Sequence, residues 1–384
     1  MGPPPLSLLA SSPGTLGVTG PSVHALRWSA QASWVSGAHN FARVLSLFTI
    51  VSFQNTACNT AAGINGTCLH AAECAARGGR AGGTCAKGYG VCCLFVRTCG
   101  ERSNANNTFF VNSRFPGANM DVGSCTFLVD KINPRVSQLR LDFDTFELAA
   151  PTNGTCVENQ FIVTGQNINS IVPVLCGINT GQHVYVDVDE KRGPFKLSVV
   201  STGGMFPRTF RIRVTQLKKG PSLAPKHCLQ YYTDTMGTIE MFNYNSMGNT
   251  LGVMPSYLNN LNYVICIKKN PGYCSITYTN VDRNGVEYPF KLLNVDADGQ
   301  SVIPRNQAGA DVFNCPDDYI IISGIRLCGE KLNDATVDID FRNNAPVTDE
   351  TNGPFLVYVH TDNSVTDRGF KLLYMQNLCM STYQ

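Results

Sequence analysis

Near its carboxyl end the chain reads GPFLVYVHTDNSVTDRGFKLLYMQ, residues 353 to 376, and the acidic turn from Asp362 to Asp367 is a candidate for chemistry. Carboxylate oxygens on loops are what a hard cation such as Ca2+ requires, yet Asp and Asn also favour turns for conformational reasons alone. His227 and His360 are the histidines that invite a general-base reading. Neither stands near a nucleophile elbow Gly-x-Ser-x-Gly, a His-Glu-x-x-His pair or a phosphate-binding Gly-x-x-x-x-Gly-Lys-Ser/Thr loop, none of which occurs in the chain. Surface or strand histidines are the reading that remains, and catalysis is not expected.

The other reactive side chains are sixteen cysteines, an even number crowded between Cys58 and Cys99 and then widely spaced. No Cys-x2-Cys pair is present and the six histidines are scattered, so disulfides of an oxidising compartment are expected rather than zinc. Three Asn-x-Thr sequons, at Asn65, Asn106 and Asn153, fit the same compartment as glycosylation acceptors. Secretion follows as the expected localisation.

What must position these groups can be read from the patterning. A chain of 384 residues with 43% hydrophobic and 15% charged side chains has room for two or three domains with real cores. The net charge of +2, with basic runs no longer than Lys-Lys, does not point to nucleic acid as a partner. The apolar run VLSLFTIV is too short to span a bilayer, which needs ~20 residues, and no membrane insertion is expected.

Residues 1–50 are rich in Pro, Gly, Ala and Ser, with no Asp or Glu before residue 47, and lack the charged start and apolar run of a signal peptide. They are expected to be a disordered leader or a misassigned signal region. Residues 54–95 hold Cys58, Cys68, Cys74, Cys85, Cys92 and Cys93 among Gly and Ala, with almost no large apolar side chain. Such a segment must be stapled by three bridges, and six cysteines leave 15 connectivities open.

The rest repeats itself. LCGINTGQHVYVDVDEKRGPFKLSVV from Leu175 aligns with LCGEKLNDATVDIDFRNNAPVTDETNGPFLVYV from Leu327. Each copy holds Leu-Cys-Gly, an alternating run ending in Val-Asp or Ile-Asp, and Gly-Pro-Phe opening a further strand. Period-two runs such as SQLRLDFDTFEL and YVICIKK predict antiparallel strands, and Pro221 and Pro225 mark a linker between the copies.

With Cys99-Gly, Cys125, LRLDFDTFEL, Cys156 and LCG at Cys176 in order, residues 97–218 resemble a CUB domain. Residues 226–384, through Cys315-Pro-Asp-Asp, RLCG and TDNSVTDRGFKLLY, resemble a second. The six-cysteine segment resembles the clip modules of arthropod immune proteins. The whole is similar to secreted arthropod CUB-domain proteins, an all-β chain of two antiparallel β-sandwich, jelly-roll domains behind a small disulfide-rich module.

The resemblance implies the bridges Cys99–Cys125, Cys156–Cys176, Cys228–Cys266 and Cys315–Cys328. Cys274 and Cys379 remain, one in a strand and one just past the last strand, and are expected to join. It also implies a calcium site in the second copy, with Asp318 three residues after Cys315, Asp362 in the last loop and Asp311 displaced by one from the upstream ligand position. Asp367 is expected to be a turn residue only. The first copy offers Asn159 and Thr202 at the matching positions, so no ion is expected there. The function implied is non-enzymatic recognition or adhesion toward an extracellular protein. The rivals are a regulator or fragment of a protease cascade and a structural protein of matrix or cuticle.

Overall fold

The computed structural model describes residues 24–26, 50–53, 55–61, 63–203, 206–244 and 256–379. The chain divides between Cys93 and Leu94 into two compact units. In the first, β1 (His24–Leu26) pairs antiparallel with β2 (Ile50–Ser52). The remainder of the expected leader lies outside the described residues.

The six-cysteine segment follows as β3 (Ala57–Asn59), β4 (Asn65–Leu69), helix α1 (Ala71–Ala76), β5 (Arg80–Cys85) and β6 (Gly90–Arg97). Strands β3, β4 and β6 lie side by side, with β5 also on β6. Cys58–Cys92, Cys68–Cys85 and Cys74–Cys93 staple them. Cys68, Cys74, Cys92, Cys93 and Leu69 are buried, so the sulfurs do the packing that large side chains do elsewhere.

The second unit holds two sandwiches. The first is built from β7 (Arg102–Ser103), β8 (Thr108–Val111), β9 (Gly123–Val129), β10 (Val136–Glu147), β11 (Asn159–Thr164), β12 (His183–Asp187), β13 (Phe195–Ser201) and β14 (Thr209–Lys218). One sheet runs β12-β10-β14-β8, with the end of β6 parallel to β8, and the other β11-β13-β9-β7. Alternation explains the layering: Phe210, Ile212 and Val214 of β14 and Phe195, Leu197 and Val199 of β13 point into one core. Phe143, Phe146 and Phe161 meet there, the Phe146 and Phe161 rings edge to face at 5.6 Å.

The second sandwich comprises β15 (Cys228–Tyr232), β16 (Met236–Glu240), β17 (Asn262–Ile267), β18 (Tyr273–Thr279), β19 (Ala308–Ala310), β20 (Tyr319–Ile322), β21 (Ile325–Gly329), β22 (Val347–Asp349), β23 (Phe355–His360) and β24 (Lys371–Leu378). Its sheets run β15-β17-β23-β20-β21-β19 and β16-β24-β18-β22. Strand for strand this is the order of the first sandwich, β20-β23-β17-β15 answering β11-β13-β9-β7 and β22-β18-β24-β16 answering β12-β10-β14-β8. The repeat seen in the sequence is therefore a repeat of topology, with β19 and β21 added in the second copy. Three pairs are parallel, β7–β9, β15–β17 and β6–β8, and the other pairs of the two sandwiches are antiparallel.

One expectation needs correction. The counterpart of β12 is β22, not the run ATVDIDF, in which Val337 and Ile339 are exposed. There Asp334, Asp338 and Asp340 accept the backbone N–H groups of Thr336, Asp340 and Arg342, local bonds that compete with a ladder. The proline-marked linker is docked: the buried Gln138 side chain donates to the Ala224 carbonyl and accepts from its N–H, both at 2.9 Å.

The sandwiches meet along a polar seam. Tyr231 N–H donates to His183 Nε2 at 3.1 Å, and Gln182 donates to the Met241 carbonyl. Asn243 N–H donates to Asn179 Oδ1 at 2.8 Å, while Asn243 Oδ1 accepts from Ile178 N–H at 2.9 Å. Burial holds the His183 imidazole well below its usual range, at about 4, which keeps it neutral and able to accept. The close approach requires Gly154 and Gly177, both at positive φ, since a Cβ there would lie 2.2 Å from Asn259 Oδ1 and 1.9 Å from Asn243 Oδ1 respectively.

All sixteen cysteines are bridged, including Cys99–Cys125, Cys156–Cys176, Cys228–Cys266, Cys315–Cys328 and Cys274–Cys379. Non-reducing peptide mapping should recover these five with the three of the first unit, and a free thiol at Cys274 or Cys379 would contradict the fold. Gly177→Ala should cost ~1–2 kcal/mol from its left-handed backbone alone and more from the clash. It should also expose 218–228 to protease, and unchanged proteolysis of that segment would refute the seam.

Candidate functional site

Register brings two of the expected ligands together. β20 and β23 are antiparallel neighbours with Tyr319 opposite His360, so Asp318, one residue before β20, and Asp362, two after β23, arrive at the same end of the sheet. Asp362 N–H donates to Asp318 Oδ1 at 2.8 Å, and the Tyr257 hydroxyl donates to Oδ2. Asn294 Oδ1 accepts from the N–H groups of Asp317 and Asp318, at 2.8 and 2.9 Å, and fixes the approach to the strand. Asp318 is 1% exposed. Burial pushes its carboxyl up to about 7, opposed by the two hydrogen bonds and reinforced by the neighbouring Asp362. Burial likewise raises the Tyr257 phenol, keeping it a donor.

Asp362 itself is a turn former, its Oδ1 accepting from the N–H and hydroxyl of Ser364, both at 2.8 Å. Asp311 is not drawn into this group. It adopts positive φ, and its Oδ1 accepts from Phe313 and Asn314 N–H at 2.8 and 3.0 Å, closing its own turn and leaving Phe313 90% exposed. Among the described residues no group of three or more His, Cys, Asp or Glu is spaced to hold a metal. For a Ca2+ ion, Asp318 and Asp362 would be the carboxylates to hold it, with both Asp318 oxygens now accepting hydrogen bonds, while the Asp311 carboxylate is turned onto its own loop.

Asp367 does more than turn the chain. Its carboxylate lies 2.9 Å from Lys291 Nζ and its carbonyl accepts from Tyr257 N–H, so it braces the residue that holds Asp318. In the first sandwich Asn159 is buried and satisfied by neutral partners, accepting from Ala149 N–H and donating to Ser201 Oγ, while the Thr202 hydroxyl donates to the Val157 carbonyl.

The two histidines are structural in their surroundings. His360 stacks on Tyr319 at 5.0 Å, and His227 takes a positive φ in the connector. Of the sequons, Asn153 is exposed, Asn65 half-buried in β4, and Asn106 half-buried with Oδ1 accepting from Gln216 N–H at 2.6 Å. Tyr257, Asn294 and Lys291 were not singled out by the sequence, because each reaches the site from a loop with no fixed spacing to Asp318.

No curated protein sequence matches the chain. Solved structures align with it at low similarity. The CUB1-EGF-CUB2 domains of rat MASP-1 align at 14% identity over 73% of this chain and 99% of that one, with a TM-score of 0.24. The corresponding domain of human MASP-1/3 gives 15%, 70%, 98% and 0.24. The extracellular region of zebrafish Gpr126/Adgrg6 gives 12% over 76% of this chain and 34% of that chain, with a TM-score of 0.25. Residues 225–377, the second sandwich, match the family model of the animal CUB domain.

Proposed function

We propose that the chain is a secreted, non-enzymatic recognition protein in which both sandwiches present binding surfaces to an extracellular protein. The observation that carries this reading is the CUB match over 225–377, the sandwich in which Asp318 and Asp362 converge on a loop end. The complete pairing of sixteen cysteines supports an oxidising compartment. Among the described residues no helix is long and apolar enough to cross a membrane. Large apolar side chains on loops, Phe313 at 90% and Ile168 at 86% exposure, are of the kind that partners cover.

Within this reading, calcium is the proposed ligand of Asp318 and Asp362, and a bound ion would neutralise their mutual repulsion and order the loop that follows β23. The paired carboxylates would then face a basic group on the partner. Affinity capture from the secreted fluid, with calcium and with chelator, tests the function directly. A partner retained only with calcium supports it, and a hydrolytic activity of the purified chain would overturn it.

The raised carboxyl of Asp318 gives a pH test. An aspartate with a folded-state pKa above its unfolded value weakens the fold as pH rises from about 4 through about 7, because the unfolded chain releases the proton first. Without calcium, Asp318→Asn should therefore stabilise the protein at pH 8 by ~2–4 kcal/mol and change little at pH 4. Saturating calcium should stabilise the unsubstituted protein at pH 8, by ~2.7 kcal/mol at 100-fold excess over Kd, and not the Asn variant. Asp367→Ala should preserve the calcium shift while losing ~1 kcal/mol or less with the Lys291 pair. No melting shift at all would leave the turn reading of Asp362 in place. Glycan mapping should find Asn153 occupied, since its side chain is exposed, and Asn106 less so, since its side chain is half-buried.

A further inference from the structure

A second site lies in the first sandwich, at the end closed by the Cys99–Cys125 bridge. A cavity of ≈ 250 Å³ opens there between the loop 112–124, the end of β13 and the start of β14, with Arg208 in its wall. Arg208 is 3% exposed. Its backbone is pinned by reciprocal hydrogen bonds with Asn119, at 2.8 and 2.9 Å, and its Nη2 donates to the Asp121 carbonyl. Its Nη1 is buried with no hydrogen-bond partner among the described residues. A buried guanidinium N–H without an acceptor costs more than an ordinary lost hydrogen bond, and such exceptions call for an explanation.

The surrounding groups are donors. Ser113 Oγ accepts from Asn119 Nδ2 at 3.0 Å and Ser201 Oγ accepts from Asn159 Nδ2 at 3.1 Å, which leaves both hydroxyl hydrogens free to be given. The one carboxylate among the lining residues, Asp121, is offset by Arg114 at 3.5 Å, so Arg114, Asp121 and Arg208 together carry one positive charge. Val199, Phe210 and the disulfide supply apolar wall, and Met120 and Val122 stand 51% and 65% exposed beside it.

We propose that this cavity binds the acidic side chain of a protein partner, with Arg208 Nη1 and the Ser113 and Ser201 hydroxyls donating to its carboxylate and Val122 and Met120 packing on the apolar residue beside it. The volume corresponds to roughly eight waters, room for one glutamate or aspartate side chain. An acidic sugar shares the carboxylate, but its ring hydroxyls would face the apolar wall unpaired. The site extends the recognition reading to the first sandwich and involves none of the residues proposed for calcium.

The test uses the full chain in chelator, so that its outcome is separate from that of the calcium site. The probes are N-acetyl-glutamate N-methylamide, its glutamine counterpart and glucuronate, followed by NMR titration. The glutamate probe should bind saturably in the millimolar range and the glutamine probe at least tenfold more weakly. Arg208→Gln should weaken glutamate binding at least tenfold. Val122→Glu, on an exposed side chain that folding does not depend on, should do the same by placing a carboxylate at the rim. Equal binding of glutamate and glutamine, no saturable binding, tighter binding of glucuronate, or full binding by the folded Val122→Glu variant would each overturn the proposal.

Discussion

Two sandwiches joined by a short connector could sit together loosely, and what prevents it is the close approach at Gly154 and Gly177. With no Cβ in the way, Asn259 and Asn243 of the second sandwich reach backbone groups of the first, accepting from Ile178 N–H and donating to the Asn153 carbonyl. Most of the amide groups that leave water there find partners, Asn259 Oδ1 and Gln230 Oε1 being buried without one among the described residues, and a satisfied group is one whose burial does not destabilise. Polar contacts of this kind are directional, so the seam fixes one relative orientation where an apolar patch would permit several. His183 belongs to the same logic, because only a neutral ring can accept from Tyr231 N–H.

The same strand order in both halves shows what changed between the copies. The second adds β19 and β21 at the edge beyond β20, tied by Cys315–Cys328. Both copies bury the residue just before or at the start of the matching strand, Asp318 in the second, hydrogen-bonded by Tyr257 and Asp362, and Asn159 in the first, as a saturated neutral amide. A carboxylate kept under such cover is held at a cost to the fold that the neutral amide of the first copy does not carry.

Much of this was legible in the sequence. Four bridges of the sandwiches followed from the resemblance and Cys274–Cys379 from the pair left over, whereas the three bridges of the six-cysteine segment were not legible among 15 connectivities. Strands such as β10, β14 and β23 announced themselves by alternation. The run around Val337 and Ile339 alternated equally well and is a loop, since periodicity does not record whether three aspartates will take the backbone N–H groups for themselves. The connector had the composition of a tether and is docked, because the decisive partner, Gln138, lies 86 residues away in the chain. For the candidate site, the structure brings Asp318 and Asp362 together and leaves Asp311 apart. Its spacing before Cys315 lies one residue from the position that the resemblance implies, and a left-handed backbone turns its carboxylate onto its own turn. Arg208 and Tyr257 carry no local motif at all, and their importance arises only from what burial does to them.

The docked connector has one more consequence. With Ala224 fastened to β10 and the seam closed, the two sandwiches cannot swing, so any surfaces they present keep a constant separation. A flexible pair would adapt to many spacings and lose entropy on each engagement. A rigid pair acts as a ruler: a ligand whose two epitopes match its span gains a high effective concentration for the second contact, and one whose spacing differs gains none.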